Sequence, residues 1–252
     1  MARYDFRSTR LFVDVALAEG AAIPLEAAQA NYLLNVLRLK AGAGILVFNG
    51  SDGEWYAELA AANKKKAVLT VVKLTREQTA PGDLHYLFSP LKHARLDYIV
   101  QKAVEMGVSR LAPIIMRHTQ AERVNLDRMR ANAIEAAEQC GVLTIAEVAE
   151  PKKFEWLTRG WRPDRLLVFC DEEADVKDPV AALASARGGG LAGPLPVSVL
   201  IGPEGGFAEN ERAALLKLPN VVRLALGPRI LRADTAAVAA LALVQAMLGD
   251  WR

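Results

Sequence analysis

The chain of 252 residues predicts an α/β fold in two parts: a small β-rich unit, then a larger unit in which strands and helices alternate. Three observations carry that expectation. The first third holds strand-like runs at 45–49, 55–61 and 67–74, separated by turn residues. From residue 84 onward, short β-branched and aliphatic runs alternate with stretches of helical period. Two of the late runs end in glycine-proline loops, Ile201-Gly202-Pro203-Glu204-Gly205-Gly206-Phe207 and Leu226-Gly227-Pro228-Arg229-Ile230-Leu231-Arg232, with their Gly-Pro steps 25 residues apart. Strand, loop, helix, repeated in this way, is the grammar of a parallel sheet.

The elements follow in order. Residues 10–13 read as a short strand, and 26–37 as a helix with Ala30, Leu33, Leu34 and Leu37 on one face. In the three-strand meander, Gly50-Ser51-Asp52-Gly53 makes the first turn and Asn63-Lys64-Lys65-Lys66 the second; its edges need covering. Glu77, Gln78, Pro81 and Gly82 mark a linker. The expected division is therefore 1–74, a linker at 75–82, and 83–252. In the second part strands are expected at 84–88, 110–115, 165–169, 197–201 and 221–225. Helices are expected at 95–106, 126–140, 179–187, 209–218 and 235–248, with Gly188-Gly189-Gly190 through Pro196 as a connector. The last helix has Asp234 or Thr235 as its N-cap, Val238, Leu241, Val244 and Leu248 at helical spacing, and Gly249 as its stop. It is too short to span a bilayer and reads as buried.

Composition narrows the chemistry. The first loop, Gly202 to Phe207, is not G-x-G-x-x-G, and no G-x-x-x-x-G-K-[ST] occurs, which leaves a nucleotide-dependent oxidoreductase without its fingerprint there. Cys140 and Cys170 have no metal-binding spacing and are expected to be buried thiols. His85, His93 and His118 form no H-E-x-x-H, so no metal is expected. No Gly-x-Ser-x-Gly elbow supports a serine hydrolase. No apolar stretch follows the first residues, which predicts a cytoplasmic protein without export or membrane association. The net charge of +2 says little about nucleic acid, whereas patches do. Residues 92–132 carry eight Lys/Arg against four Asp/Glu, and Lys64-Lys65-Lys66 forms a second cluster. Either patch serves equally as a solvated face.

Loops at the carboxyl ends of parallel strands bind ligands. One Gly-Pro loop alone is as well read as a tight turn; two, with polar residues set into them, point to a shared pocket. Glu204 disfavours phosphate there and suits a cation, a hydroxyl or an amine. Arg223, Arg229 and Arg232 lie in a stretch without acids from 221 to 233. They form a solvated arginine face, or one of them, Arg232 foremost, meets a phosphate or a nucleobase carbonyl.

These residues carry a resemblance. The two loops, the second continuing into Ala233-Asp234-Thr235, resemble the C-terminal signature of the SPOUT methyltransferases, and within them the 16S ribosomal RNA (uracil-N3)-methyltransferase family (RsmE). Asn35-Val36-Leu37-Arg38-Leu39-Lys40-Ala41-Gly42 is similar to that family's N-terminal helix and turn. Gln101 to Val108 and Glu135 to Gly141 are similar to its first catalytic-domain helices. The resemblance implies a PUA-like RNA-binding barrel followed by a trefoil-knotted α/β methyltransferase domain, a homodimer, and S-adenosylmethionine as methyl donor. The knot has no counterpart in periodicity, because knots are nearly absent among folds.

Carried over by position, the first loop gives the donor pocket Leu200, Ile201, Gly202, Pro203, Glu204 and Gly205. The second gives Leu226, Gly227, Ile230, Leu231, Arg232, Thr235 and Ala236. The implied substrate is 16S rRNA within the 30S subunit. Uracil N3 must lose a proton before it can accept a methyl group, so Arg232 is the expected electrostatic stabiliser and Glu204 the weaker candidate for a base. Glu204 reads equally as a residue that shapes its loop, and Glu105 as a helix partner of Lys102. Arg10, Arg38 and Lys92 are the candidates for holding the RNA backbone. Three positions depart from the family: Ala208 where a helix-capping serine is common, Arg117-His118-Thr119-Gln120 near a Thr-Glu-Arg-Ser-like stretch, and Gly141-Val142 for Gly-Arg. Without the Ala208 cap, Glu209 and Glu211 are left to favour that helix start. The alternatives are a SPOUT enzyme acting on transfer RNA and a non-catalytic RNA-binding relative.

Overall fold

The computed structural model describes residues 8–63, 66–92, 94–121, 123–175, 178–187 and 195–251. Lys64, Lys65, His93 and residues 188–194 of the expected connector lie outside the described residues. The chain divides into two compact units, 1–80 with 137–145, and 81–136 with 146–252.

The first unit is built on a five-stranded sheet. Its strands are β1 (Arg10–Phe12), β2 (Ala22–Pro24), β3 (Gly44–Phe48), β4 (Glu54–Asn63) and β5 (Lys66–Arg76), ordered β1-β3-β4-β5-β2. β3, β4 and β5 form the antiparallel meander that the turn residues predict, and β1 lies parallel to β3. Asn49 Oδ1 accepts from the Ser51 and Asp52 amides at 3.0 and 2.8 Å, which closes the first turn. Gly53 ends that turn with φ 82°, and a Cβ there would stand 2.4 Å from the Arg76 carbonyl oxygen, so no side chain fits. β2 has no sequence signature, being three residues long with only Ile23 turned inward.

The expected helix at 26–37 is instead α1 (Ala27–Asn31) continuing into a wider π turn, Tyr32–Val36. Its mark is the Leu37 amide, which donates to the Tyr32 carbonyl at 2.9 Å. Ala30 and Leu33 still face the core, against Ile23, Leu59 and Leu69.

Arg10 is not a surface residue. It is 6% exposed, and its Nε donates to Glu54 Oε2 at 2.8 Å. Arg76 meets the same carboxylate through Nε and Nη2 at 2.9 and 2.6 Å, and reaches the Gly141 carbonyl through Nη1 at 3.0 Å. The expectation that Arg10 grips RNA is corrected: its guanidinium is committed to a buried carboxylate.

The second unit carries the parallel sheet. Its strands are β6 (Leu84–Phe88), β7 (Arg110–Ile115), β8 (Glu147–Val148), β9 (Lys152–Lys153), β10 (Leu166–Cys170), β11 (Val197–Ile201) and β12 (Val221–Leu224). The order is β12-β10-β11-β6-β7-β8, with β9 also pairing to β7, and every pairing is parallel. Strands buried on both faces read as near-continuous apolar runs, which is why β6, β7, β10 and β11 are visible in the sequence; β12, half-buried at the edge, shows through Val221, Val222 and Leu224. The two-residue β8 and β9 are not.

The helices are α2 (Ala94–Glu105), α3 (Leu126–Cys140), α4 (Phe154–Arg159), α5 (Pro179–Ala186), α6 (Glu209–Leu215) and α7 (Ala233–Met247). Residues 137–140 of α3 cluster with the first unit, where Glu138 Oε1 accepts from the Phe12 amide at 2.8 Å. Asp178 caps α5 ahead of Pro179, accepting from the Val180 and Ala181 amides. α7 begins earlier than expected, with Arg232 at its N-cap in extended backbone; the Asp234 carboxylate accepts from the adjacent Thr235 amide. Lys102 and Glu105 pair at 2.6 Å along α2. Among the described residues no helix is long and apolar enough to cross a membrane.

His85 on β6 makes folding sensitive to pH. Burial, and next the Arg165 charge, push its imidazole down from 6.5 to about 4, against an opposing pull from Asp83. Because the folded value lies below the unfolded one, the stability from neutral His85 is complete above pH 6.5 and is lost as pH falls toward 4. The expected slope is about 1.4 kcal/mol per pH unit in that window. Denaturant titrations of the parent protein and of His85→Gln at pH 7 and pH 5 check it. Equal pH sensitivity in the two proteins overturns the assignment.

Candidate functional site

Three adjacent strands, β12, β10 and β11, end at one cavity of about 450 Å³. Its walls are the first loop from Ile201 to Phe207, the second from Leu224 to Leu231, the segment Cys170-Asp171-Glu172 after β10, and Ala233 and Ala236 at the start of α7. The volume is that of a site for a drug-sized ligand.

Local chemistry fixes the first loop. Phe207 turns back into the core and meets Phe169 edge-on, with centroids 5.7 Å apart. Gly202 lies beneath that ring, and a Cβ there would approach it to 2.9 Å. Gly206 adopts φ 72°, the left-handed region that a side chain strains. The loops that follow β6 and β7 brace it. His118 Nδ1 donates to the Gly206 carbonyl at 3.1 Å, and Thr119 Oγ1 bonds Ser89 Oγ at 2.9 Å while accepting from the Met116 amide. The stretch at 117–120 therefore supports the loop from behind. Glu211, at the first turn of α6, steadies the helix entry from the other side without supplying the serine's own cap: it accepts from the Ala208 amide at 3.0 Å and from the Arg117 amide at 2.9 Å. Glu204 is ion-paired with Arg95 of α2.

Of the residues expected at the site, Ile201, Gly202, Pro203, Glu204 and Gly205 line the cavity from the first loop. Leu226, Gly227, Ile230, Leu231 and Ala236 line it from the second. Leu200 does not; it is fully buried in the core. Arg232 and Thr235 are exposed at the start of α7, outside the lining. Arg38 and Lys92 are exposed, Arg38 with an unusual positive φ of 56°. Arg223 is not a free cation, because Nε and Nη2 donate to Asp171 Oδ2 at 2.8 and 2.7 Å.

Sequence reasoning missed Cys170, Asp171 and Glu172. Their signal is faint: an apolar run, 166–170, followed by three acids at the carboxyl end of a strand that only the fold places between the other two. Burial pushes the Asp171 carboxyl up, but hydrogen bonds from Arg212, the Glu173 amide and Arg223 outweigh it and hold it below its ordinary value. Burial, with the Asp171 charge beside it, raises the Cys170 thiol to about 12 and keeps it protonated. Cys140, expected to be buried, is exposed.

Apolar walls with convergent backbone groups suit a purine ring, and the Glu172 carboxylate suits a ligand with a positive centre, whereas that of Asp171 is buried and neutralised by Arg212 and Arg223. The residues fit S-adenosylmethionine: Leu226, Leu231 and Ile201 offer the apolar slot. Ile230 stands 96% exposed at the rim.

Comparison with known proteins places these features in context. A family model described as an RNA methyltransferase domain matches residues 78–245, and one described as an RNA methyltransferase PUA domain matches 25–72. A ribosomal RNA small subunit methyltransferase E of Synechocystis is 30% identical, covering 90% of this chain and 74% of its own. The protein of that name in Rickettsia conorii is 27% identical, covering 96% of each chain. A Legionella pneumophila protein solved in complex with the cofactor SAM is 26% identical with a TM-score of 0.80, covering 95% of this chain and 98% of its own. The Neisseria gonorrhoeae ribosomal RNA small subunit methyltransferase E, bound to S-adenosylmethionine, shares the fold at 24% identity and a TM-score of 0.78, over 98% of this chain and 100% of its own.

Proposed function

Because the chain belongs to the ribosomal RNA small subunit methyltransferase E family of RNA methyltransferases, we propose that it methylates N3 of a uridine in 16S rRNA, with S-adenosylmethionine as donor. The observation that carries this reading is the single cavity formed by both Gly-Pro loops and the end of β10. When bound there, the donor supplies a methyl group already activated on a sulfonium.

The chain's own residues do the rest. The loops hold the donor so that its methyl points toward the acceptor, and positioning is the larger part of such a displacement. Arg232 stands exposed at the N-cap of α7, where its guanidinium meets the O2 or O4 of a uracil that has lost its N3 proton. The N-terminal end of the α7 dipole adds to the same positive field. Glu204 is held by Arg95, which favours the loop-shaping role; a base role requires Arg95 to withdraw. The target uridine leaves its stack to reach the cavity. Arg38 and Lys92 are exposed and able to meet phosphate. The protein acts in the cytoplasm on the 30S subunit, as a homodimer in which the partner covers Ile230.

The test is methyl transfer from labelled S-adenosylmethionine to 30S subunits lacking the modification, followed by mass spectrometry of rRNA nucleosides. N3-methyluridine is the expected product. Donor binding with no labelled RNA of any kind, or label only in transfer RNA, overturns the proposal.

A further inference from the structure

We propose that Asp171 is a positioning residue that sets the distance between the two Gly-Pro loops, and with it the fit of the cavity to the methyl donor. The inference rests on the donor-site reading above.

β10 lies between β11 and β12 in the sheet, so its carboxyl end falls between the two loops. Asp171 is the first residue past that end, and its carboxylate has no solvent exposure. Two guanidiniums converge on it from different elements. Arg212 of α6, five residues after Phe207 closes the first loop, donates through Nε at 2.8 Å. Arg223 of β12, four residues before Gly227 opens the second loop, donates through Nε and Nη2 at 2.8 and 2.7 Å. The backbone joins in, since the Asp171 amide donates to the Leu224 carbonyl at 3.0 Å. Arg212 is steadied in turn by Glu209 at 2.9 Å and Glu173 at 3.2 Å. One buried carboxylate thus ties the element that leaves one loop to the strand that enters the other.

Stability alone is a weak reason for such an arrangement, because a buried ion pair repays its own desolvation only narrowly. A fixed geometry between loops that share a ligand is a sufficient one. The two adjacent N–H groups of Arg223 pinch one oxygen, Oδ2, and so fix direction as well as distance, which a lysine in its place cannot do.

The test begins with calorimetric binding of S-adenosylmethionine to the parent protein; no binding there overturns the donor-site reading itself. Given binding, Asp171→Asn is expected to raise the donor Kd and KM by about tenfold or more, with KM for 30S subunits unchanged. Arg223→Lys keeps the charge and removes the paired N–H groups, and is expected to move donor KM the same way in a protein that still folds. Should Asp171→Asn fail to fold, Arg223→Lys decides alone. Folded variants with a lowered melting temperature but a donor Kd within about twofold of the parent overturn the proposal.

Discussion

Replacing Arg232 by alanine is expected to slow methyl transfer by about 10²–10³-fold while leaving donor affinity within about twofold. The asymmetry follows from where the side chain stands. Arg232 is exposed and absent from the cavity lining, so a bound donor loses no wall when it is truncated. The uracil, by contrast, must carry negative charge at O2 and O4 in the transition state, and a guanidinium at a helix N-cap is placed to meet it. An interaction made only in the transition state appears in kcat and not in donor binding. Single-turnover rates beside calorimetric donor affinities make the measurement. Equal losses in both would show that Arg232 merely shapes the second loop.

The second large effect is on stability. Glu54→Ala is expected to destabilise the first unit by about 3–5 kcal/mol, since it removes the buried carboxylate that Arg10 and Arg76 share. In a unit of this size that lowers the melting transition by roughly 15 °C or more. Burial pushes the Glu54 carboxyl up, but hydrogen bonds and charge from Arg76 and Arg10 hold it below its ordinary 4.5. Its contribution is therefore complete above that pH and is lost as acid protonates the folded form. Thermal unfolding at pH 7 checks the magnitude, and an unchanged melting curve would mean that both arginines find water instead.

How much of this was legible in the sequence depends on the length over which each feature is written. The five longer parallel strands are apolar runs of four to six residues, and they stand out against their helices. β2, β8, β9 and the six-residue α4 are too short to show a period. The π turn was hidden because an added residue in a helical turn leaves Ala30 and Leu33 on the same face. The Gly-Pro loops were legible as a site because each is contiguous. The third wall was not, since Asp171 acquires its partners from residues 41 and 52 positions away. Arg10 misled for a related reason: an arginine at the start of a strand looks the same in sequence whether it faces phosphate or a buried carboxylate 44 residues on.

The membership of residues 137–145 in the first unit bears on the order of synthesis. The N-terminal unit of a growing chain ordinarily folds first, as soon as it has left the ribosome. Here the Gly141 carbonyl that receives Arg76, and the Glu138 carboxylate that receives the Phe12 amide, are made after two strands, one whole helix and most of a second from the other unit. The core of the N-terminal unit, Leu11 to Val71, is complete before that segment is made, but these two contacts form only after about sixty further residues have followed Ala80. Cleaving the protein at the linker for separate expression would remove those acceptors for the same reason. The boundary between the two units is drawn in space and not along the message.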